Sequence, residues 1–284
     1  MWKIVVFGAS GAVGRFLLPM LAGRAASIVA ISRDPRAAAG DRWEWQRGDL
    51  FGAVPQLPEA DGIVSLGPLD AFAAWFEQNA PRTCRRVLAL GSMSAQSKRD
   101  SPDPHDRETA ARLAAAETRL AAAADARGAA WTIFRPTLIY GAGVERTLAP
   151  IVRFARRWHV LPVPVGRCGL RQPVHARDLA AACVAAWDCE RTFSKTYPLG
   201  GGERLPFDAL LRRLRAVTPW TLPVPVPLVF LRSAAPVAAR LGVARVGEGA
   251  LRRLREDLIA DNKAASVDFG YAPCAFRAED VVAT

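Results

Sequence analysis

The chain of 284 residues contains few histidines, and its cysteines show no metal-ligand spacing. Its three histidines, His105, His159 and His175, lie far apart, and none of its five cysteines forms a C-x-x-C pair. Structural zinc sites need closely spaced Cys and His ligands, and disulfide frameworks normally use an even number of cysteines. We therefore expect no metal site, no disulfide framework, and the reduced thiols of a cytoplasmic protein.

Long apolar runs are also missing. No stretch approaches the roughly 18 consecutive apolar residues that a membrane-spanning helix requires. The N-terminus leads directly into an apolar strand pattern, without a charged leader and a cleavage site. These two absences predict a cytoplasmic protein with no transmembrane segment.

Acidic residues are outnumbered, with 27 Asp and Glu against 38 Lys and Arg, which gives a net charge of +11. Phosphate backbones of nucleic acids are bound mainly by Lys and Arg. The arginines are nevertheless scattered, and the chain has neither a basic tail nor an aromatic-interleaved strand. We expect a basic surface with some affinity for anionic ligands, and no nucleic-acid partner.

Short apolar runs alternate with helical patterns through the first 200 residues. Seven strands are predicted by the segments KIVVFG, SIVAIS, WEWQRGD, GIVSLG, RRVLALGS, AAWTIFRP and KTYPLG. Helices are predicted to about Leu21, around Ala71 to Gln78, from about Arg107 to Arg127, and in VHARDLAAACVAAW. Strands separated by helices form parallel sheets covered on both faces. The sequence therefore predicts an α/β fold with a doubly wound parallel sheet of the Rossmann type.

This alternation ends at about Gly201. Helices are predicted around Phe207 to Val217 and Leu251 to Ile259, separated by the proline-rich stretch TLPVPVPLVFL. The C-terminal part is thus expected to be small and mainly helical.

The segment GASGAVG, Gly8 to Gly14, directly follows the first strand and opens a helix. Gly8 permits a tight turn, Gly11 lets the backbone approach a pyrophosphate, and Gly14 allows close packing of helix and strand. The free N–H groups of the helix N-terminus then face the phosphates. This context predicts a dinucleotide site, although a purely structural glycine turn is the alternative. The predicted cofactor contacts are Gly8, Ser10, Gly11, Ala12, Val13, Gly14, Ser32, Arg33, Asp49, Leu50, Leu66, Gly67 and Pro136.

The end of the second strand predicts which dinucleotide is bound. NAD-binding proteins usually place an acidic residue there, whereas this strand ends Ile31-Ser32-Arg33 and the first acid is Asp34. Ser32 and Arg33 can donate to a 2′-phosphate, which a carboxylate would repel. We expect NADP, with NAD as the alternative and a surface arginine in a turn as the structural interpretation. Asp49 suits the adenine amino group or a turn.

Together with the glycine turn, the segments TIFRPTLIYGAG (Thr132 to Gly143) and RQPVHARDLA (Arg171 to Ala180) resemble the extended short-chain dehydrogenase/reductases. This is the NAD-dependent epimerase/dehydratase family, and the resemblance covers roughly residues 3 to 215. It implies that residues 1–200 bind the dinucleotide, with 160–175 crossing to the substrate side, and that 201–284 form a cap. A small-molecule substrate, often a nucleotide sugar in this family, is the implied partner.

The resemblance also assigns roles to residues near the substrate. Pro136 is expected near the nicotinamide, Tyr140 at the substrate, and Arg171 either at a substrate diphosphate or in a structural ion pair. His175 is expected to be a packed, hydrogen-bonded residue, and Asp178 a helix cap.

Family members carry Y-x-x-x-K on the helix after the fifth strand, and this chain contains no such pair. In that motif the tyrosine exchanges a proton with the substrate, and the lysine lowers the tyrosine pKa. Aligning the family glutamate on Glu117 puts Thr109 and Leu113 at these positions. Ser92 and Ser94 are the remaining candidate catalytic hydroxyls, in a segment predicted as a loop. Glu108 and Arg112 form a candidate surface ion pair.

Two functions therefore remain open: an epimerase, reductase or dehydratase with displaced catalytic groups, or a cofactor-binding sensor or scaffold without turnover. The alanine-rich face of the helix after the fifth strand fits either a homodimer contact or packing within one chain. Pro223 to Leu241 and the arginines beyond it are interpreted as a substrate-side lid, with an anionic membrane or a partner surface as the alternative.

Overall fold

The computed structural model describes residues 2–35, 42–54, 56–145, 147–227, 252 and 254–282. The chain divides into two compact units, and each is assembled from three separate segments. Unit 1 comprises Met1–Pro136, Ala176–Leu199 and Asp261–Ala272, and unit 2 comprises Thr137–His175, Gly200–Ala260 and Pro273–Thr284.

Unit 1 is built on one seven-stranded sheet. Its strands are β1 (Trp2–Phe7), β2 (Ala25–Ser32), β3 (Glu44–Arg47), β4 (Gly62–Ser65), β5 (Arg86–Leu90), β6 (Ala130–Pro136) and β11 (Lys195–Leu199). The spatial order is β11-β6-β5-β4-β1-β2-β3, and every pairing is parallel. The predicted doubly wound parallel sheet of seven strands is therefore confirmed. Strands β4 and β5 are buried at every residue, as expected for a sheet covered on both faces.

The helices of unit 1 bury their apolar sides against this sheet. They are α1 (Gly14–Leu21), α2 (Leu69–Asn79), α3 (Ser94–Ser97), α4 (Pro104–Asp125), α6 (Ala176–Trp187) and α8 (Lys263–Phe269), with a 3-10 turn at Glu190–Thr192. On α2, Phe72 and Phe76 are fully buried in the same core cluster as Leu120 and Ala124 of α4. The buried alanines of α4 thus pack within the chain.

The described residues of unit 2 include three two-stranded sheets and the helices α5 (Leu148–Trp158), α7 (Phe207–Ala216) and α9 (Glu279–Val282). The strands pair as β7 (Ile139–Tyr140) with β10 (Val174–His175), β9 (Leu170–Arg171) with β12 (Leu205–Pro206), and β8 (Val160–Val165) with β13 (Leu222–Pro227). Leu148 and Leu210, both fully buried, belong to the core cluster of this unit.

The ribbon formed by β8 and β13 places every one of its prolines on an outer edge. The Leu222 N–H donates to the His159 carbonyl (2.8 Å), so Leu222 and every second residue after it face β8. Backbone groups alternate between the two sides of a strand. The residues facing outward therefore include Pro162 and Pro164 on β8, and Pro223, Pro225 and Pro227 on β13.

Several predicted boundaries were wrong. The helix after the fifth strand begins at Pro104, because Asp103 Oδ1 accepts from the His105 N–H (3.0 Å) and caps it, and it ends at Asp125. The segment from Ser94 to Ser97, predicted as a loop, forms the short helix α3 because the Ser92 hydroxyl accepts from the Ser94 N–H.

Two C-terminal predictions also need correction. Residues 222–227, read only as proline-rich, form a strand whose alternating prolines face away from its partner. The helix predicted to Ile259 ends earlier, because Leu258 makes an isolated parallel bridge to Arg171. The remainder of the predicted lid, residues 228–241, lies outside the described residues.

Candidate dinucleotide-binding site

The glycine turn after β1 has a geometry that only glycine fits. Gly8 adopts φ 71°, and a Cβ there would approach the Gly67 nitrogen to 3.1 Å. A Cβ on Gly14 would lie 2.1 Å from the Ala9 carbonyl oxygen, far inside van der Waals contact. Gly14 therefore allows α1 to start directly against the turn, as the motif predicts.

The same turn presents free backbone donors. The Gly11 N–H donates to the Gly8 carbonyl (2.9 Å), which closes the turn. Within the described part of the chain, no protein group accepts from the N–H groups of Ala12 and Val13, which open α1. Free N–H groups at a helix N-terminus bind anions such as a pyrophosphate. These residues can therefore hold the diphosphate of a dinucleotide.

At the end of β2, Ser32 is buried and Arg33 is exposed. The Ser32 Oγ lies 2.6 Å from the Ser10 Oγ of the glycine turn and accepts from the Asp34 N–H (3.1 Å). Ser32 thus connects the turn to the strand end, and no acidic side chain precedes Arg33 on the strand.

Leu66 and Gly67 lie against Gly8 of the glycine turn, Leu50 contacts Gly67, and Asp49 forms a turn of its own. Asp49 Oδ1 accepts from the Phe51 N–H (3.1 Å), so the carboxylate stabilises its own turn, one of its two predicted roles. The Leu50 side chain lies against Gly67, where a Cβ would approach its Cδ1 to 3.1 Å. The Leu66 N–H donates to the Phe7 carbonyl (3.0 Å).

The candidate catalytic serines follow β5. The Ser92 hydroxyl accepts from the Ser94 N–H (3.1 Å), while Ser94 is half-buried at the start of α3. Lys98 Nζ lies 2.7 Å from Asp106 Oδ1, and the Asp106 side chain is buried. The lysine charge is thus balanced by Asp106, and Ser94 has the more available of the two hydroxyls.

Helix α4 carries no tyrosine and no lysine. Thr109 donates its hydroxyl to the His105 carbonyl one turn earlier (2.9 Å), and Leu113 is half-buried. Arg112 pairs with Asp70 of α2 (3.3 Å), so the ion pair predicted with Glu108 was wrong. Arg112 instead links α4 to the neighbouring helix α2.

A buried ion pair that sequence reasoning missed joins α4 to β6. Arg135 Nε donates to both carboxylate oxygens of Glu117, at 2.9 and 3.2 Å, and its Nη2 donates to one of them. The Glu117 hydrogen bonds raise the pKa of the Arg135 guanidinium. Beside this pair, the Met93 N–H donates to the Pro136 carbonyl (3.1 Å), which ties the ends of β5 and β6 together.

The predicted substrate residue Tyr140 lies buried in unit 2. Its Oη accepts from the Arg277 N–H (3.2 Å), and its ring packs against Phe276 at a centroid distance of 4.9 Å. His175 packs edge-on against the Tyr140 ring (5.0 Å) and lies 3.7 Å from Asp280. The histidine is packed, as its motif predicts.

Arg171 is also buried in unit 2. Its guanidinium donates to the carbonyls of Leu170 (2.8 Å) and Glu256 (2.7 Å) and lies over the Phe207 ring. Burial lowers the pKa of this arginine. These contacts are structural, and a substrate role for Arg171 stays a prediction.

Gln172, which sequence reasoning passed over, organises the same unit. Its side-chain amide donates to the Gly201 carbonyl (2.8 Å), and its Oε1 accepts from the Ala260 N–H (2.8 Å). A Cβ on Gly200 would lie 2.3 Å from this amide. The sequence does not indicate that Gln172 contacts Gly200 and Gly201, because these residues are distant in the chain and meet only in the folded structure.

In unit 1 the parallel strands bring the predicted cofactor residues to one edge of the sheet. Gly8 follows β1, Gly67 follows β4, Ser92 follows β5 and Pro136 ends β6. Ligands of open parallel sheets bind beyond the carboxyl ends of the strands, where the order reverses. Here the order reverses between β1 and β4.

In the described ranges, no group of three or more His, Cys, Asp or Glu side chains is arranged to hold a metal ion. None of the helices described is both long and apolar enough to cross a membrane. All five cysteines are free thiols.

No family model matches the chain. Subunit 9 of the NADH dehydrogenase [ubiquinone] 1 alpha subcomplex, a mitochondrial protein of Arabidopsis thaliana, is 28% identical over 220 residues. That match covers 69% of this chain and 53% of the relative, so the chain spans about half the relative's length.

Solved structures share the fold over nearly the whole chain. MoeE5 in complex with UDP-glucose and NAD superposes with a TM-score of 0.72 at 18% identity, covering 99% of this chain and 96% of that one. UDP-glucose 4-epimerase with UDP-glucose from Thermotoga maritima gives 0.69 at 14% identity, covering 98% and 96%. A short-chain dehydrogenase/reductase superfamily protein from Agrobacterium tumefaciens with bound NAD gives 0.68 at 15%, covering 99% and 95%. The chain therefore shares the fold of these epimerase and short-chain dehydrogenase/reductase structures, which confirms the fold that the resemblance of its motifs implied.

Proposed function

We propose that unit 1 binds a dinucleotide at the glycine turn and that the protein acts as an epimerase- or dehydratase-like enzyme of the extended short-chain type. The observation that carries this proposal is the turn itself, where Gly8 and Gly14 exclude a side chain and the start of α1 offers unpaired N–H donors. A bound nicotinamide ring supplies hydride transfer. The chain's own residues bind the diphosphate and position a hydroxyl at the end of β5.

We further propose that NADP is preferred over NAD. Arg33 is exposed directly after β2, and no carboxylate lies at the strand end to repel a 2′-phosphate. Because the Ser32 hydroxyl bonds to Ser10 and Asp34, its role is to shape the turn, and Arg33 is the selecting cation. The structural relatives MoeE5 and the Agrobacterium protein bind NAD, which makes NAD the alternative.

The substrate class we propose is a nucleotide sugar or a related hydroxyl or carbonyl compound. MoeE5 and the Thermotoga epimerase are both seen with UDP-glucose. Residues 137–175 and 200–260 of unit 2 are the segments we assign to the substrate, with Tyr140 and Arg171 among them. We also propose a cytoplasmic location and a homodimer, which sedimentation velocity at micromolar concentration would test.

Catalysis then falls to groups other than a Tyr–Lys dyad. Ser94 can hydrogen-bond a reacting hydroxyl, because its own hydroxyl has no acceptor or donor among the described residues. Lys98 forms an ion pair with Asp106. Helix α4 carries no tyrosine, so the usual role of a lysine, which is to lower the pKa of a catalytic tyrosine, is not available here. Slow turnover is the expected outcome.

Helix α4 favours a second function, in which the protein binds the dinucleotide without turnover and acts as a sensor or scaffold. Thr109 already donates to the His105 carbonyl, and Leu113 carries no charge. Either function retains the dinucleotide site, so binding is tested first and turnover second.

The binding test is thermal unfolding of the protein with NADP, NADPH, NAD and NADH. A ligand at about a hundredfold excess over its dissociation constant stabilises the folded state by about 2.7 kcal/mol. We expect a shift with the phosphorylated pair, and loss of that selectivity in Arg33→Ala. Arg24→Ala, at another exposed arginine of unit 1, is the matched control. No shift with any of the four would overturn the proposal.

Turnover is tested by incubating UDP-glucose with the protein and NADP, and following both the absorbance of reduced nicotinamide and the sugar products by chromatography. An epimerase or dehydratase returns its hydride in each cycle, so product formation is its signal, whereas a dehydrogenase also accumulates reduced cofactor. A slow signal that Ser94→Ala lowers supports the enzyme. A dinucleotide-stabilised protein with no signal supports the sensor or scaffold.

A further inference from the structure

One corner of unit 2 exposes three large apolar side chains. Trp158 ends α5 and is 48% exposed, Trp220 precedes β13 and is 89% exposed, and Leu222 begins β13 and is 64% exposed. Leu222 pairs with Val160 at the start of β8, and its N–H donates to the His159 carbonyl, so the three residues share one end of the ribbon. We call these three residues the tryptophan corner. All three residues belong to unit 2.

The backbone at this corner is strained. His159 has φ 55° and Trp220 has φ 67°, and only one other non-glycine residue among those described has a positive φ. For a bulky residue this conformation is costly and persists only where the surroundings impose it. A tryptophan held in a left-handed turn and turned toward solvent is therefore a costly feature that packing inside unit 2 does not explain.

The corner is also basic. Arg153, Arg156 and Arg157 are exposed on α5, and the Arg157 guanidinium lies 5.3 Å from the centroid of the Trp158 ring. Residues 147–177 contain no Asp or Glu, and neither do residues 209–247. The two sequence segments that form the corner thus contribute positive charge and no carboxylate.

We propose that the tryptophan corner docks unit 2 on an anionic lipid bilayer. Indole rings partition to the membrane interface because they combine a large apolar surface with one polar N–H group. Neighbouring arginines add attraction to anionic headgroups while their stems lie along apolar surface. Leu222 adds an exposed aliphatic side chain, which an acyl-chain boundary can bury and which neither stacks on bases nor donates to phosphates, so the corner favours a lipid surface over a nucleic acid.

The geometry suits shallow, reversible association. The exposed groups are side chains of a helix end and a strand start, so the backbone of the ribbon stays hydrogen-bonded on its inner side. Surface association of this kind needs both apolar contact and charge, because one alone binds weakly. This inference concerns a surface beyond the proposed dinucleotide function, and either can fail while the other holds.

The test is flotation of the full chain with vesicles of phosphatidylglycerol and phosphatidylcholine in equal parts, compared with phosphatidylcholine alone. We expect binding to the anionic vesicles that weakens with salt. Trp220→Gly removes the indole and also relieves the left-handed strain, so the variant folds at least as well. It is expected to partition about tenfold more weakly. Phe51→Ser, at an apolar residue of unit 1 that is 71% exposed, is the matched control and should bind like the wild type.

The contribution of positive charge to vesicle binding is tested with a double variant in which Arg156 and Arg157 are both replaced by Glu. Arg82→Glu of unit 1 is the control. The double reversal should weaken vesicle binding by more than about tenfold, since each interfacial cation contributes about 1 kcal/mol. Absence of wild-type binding to anionic vesicles overturns the proposal. The proposal is also overturned if Trp220→Gly binds anionic vesicles as tightly as the wild type, or if Arg82→Glu loses as much vesicle binding as the double reversal. Binding to single-stranded RNA in place of vesicles would overturn it as well.

Discussion

The hydroxyl oxygens of Ser10 and Ser32 lie 2.6 Å apart, so the glycine turn and the end of β2 share one hydrogen bond. In the dinucleotide site that we propose, this bond sets the distance between the N–H groups at the start of α1 and the end of β2. Pre-set geometry lowers the ordering cost of binding. We therefore expect cofactor affinity to depend on Ser32 even where its side chain does not contact the cofactor.

Replacing Ser32 by Ala removes this bond and leaves Ser10 without its partner. We expect a stability loss of about 1 kcal/mol, the net worth of one such hydrogen bond. Affinity for both dinucleotides should fall together, because Arg33 is unchanged. Titration calorimetry with NADP and NAD checks this. A fall for NADP alone would instead make Ser32 a direct phosphate ligand.

The Glu117–Arg135 pair is the second prediction. Glu117→Gln leaves the partly buried Arg135 without its counter-charge, which should cost about 2 kcal/mol of unfolding free energy in urea denaturation. The control is Glu77→Gln, because Glu77 and Arg119 form an exposed pair. Exposed pairs contribute about 0.5 kcal/mol, so the control should change little. Equal losses would contradict the assigned burial effect.

Arg86 carries the third prediction. This arginine is 1% exposed, and its guanidinium donates to four carbonyls and two threonine hydroxyls within unit 1. Burial lowers its pKa to about 10. Lysine has fewer donors and no planar fork, so Arg86→Lys leaves buried carbonyls unpaired. We expect a loss of about 3 kcal/mol or more. Arg85→Lys, next to it but with an exposed side chain, should be nearly neutral.

The fourth prediction concerns pH. Tyr197 Oη donates to Asp268 Oδ2 (2.6 Å), and Lys195 Nζ lies 2.9 Å from the same oxygen. The Tyr197 hydrogen bond lowers the pKa of Asp268, while burial, with the nearby carboxylate, raises the pKa of Tyr197. The Asp268 contribution is therefore present above its unfolded pKa of about 4 and is lost on acidification. The Tyr197 contribution is present below about pH 10 and is lost as pH rises above it.

Thermal unfolding of wild type and Asp268→Asn across pH checks this. The difference in melting temperature should be largest between about pH 5 and 9 and should shrink below about pH 4. Tyr197→Phe should flatten the alkaline limb. A difference that stays constant with pH would show that the cluster acts by packing alone.

The parallel sheet was predictable because its signals are local. Buried strands such as GIVS and RVLAL are continuous apolar runs, and the glycine turn sits where the first strand must end. The positions of Gly8, Gly14 and Arg33 follow from that spacing. The cap of α4 at Asp103 was missed although its signal is also local, because proline follows it at the first helical position.

Contacts distant in sequence were not predictable. Glu117 and Arg135 are 18 residues apart, and Gln172 meets Ala260 across 88 residues. None of these four residues stands out in the sequence by its type or by its local pattern. The assignment of chain segments to the two units was also not predictable. Asp261–Ala272, for example, belongs to unit 1 because of its packing, which no local pattern indicates. The strand β8 was not predicted, although the alternation of its prolines is that of an edge strand.

The prolines of the β8–β13 ribbon have a consequence for how this protein behaves at high concentration. A strand edge recruits another strand through its unpaired N–H groups, and such recruitment starts domain swapping and fibril growth. Where an outward-facing residue of this ribbon is proline, that edge offers a carbonyl and no donor. A neighbouring chain finds no complementary ladder there, so the ribbon can stay exposed without seeding aggregates.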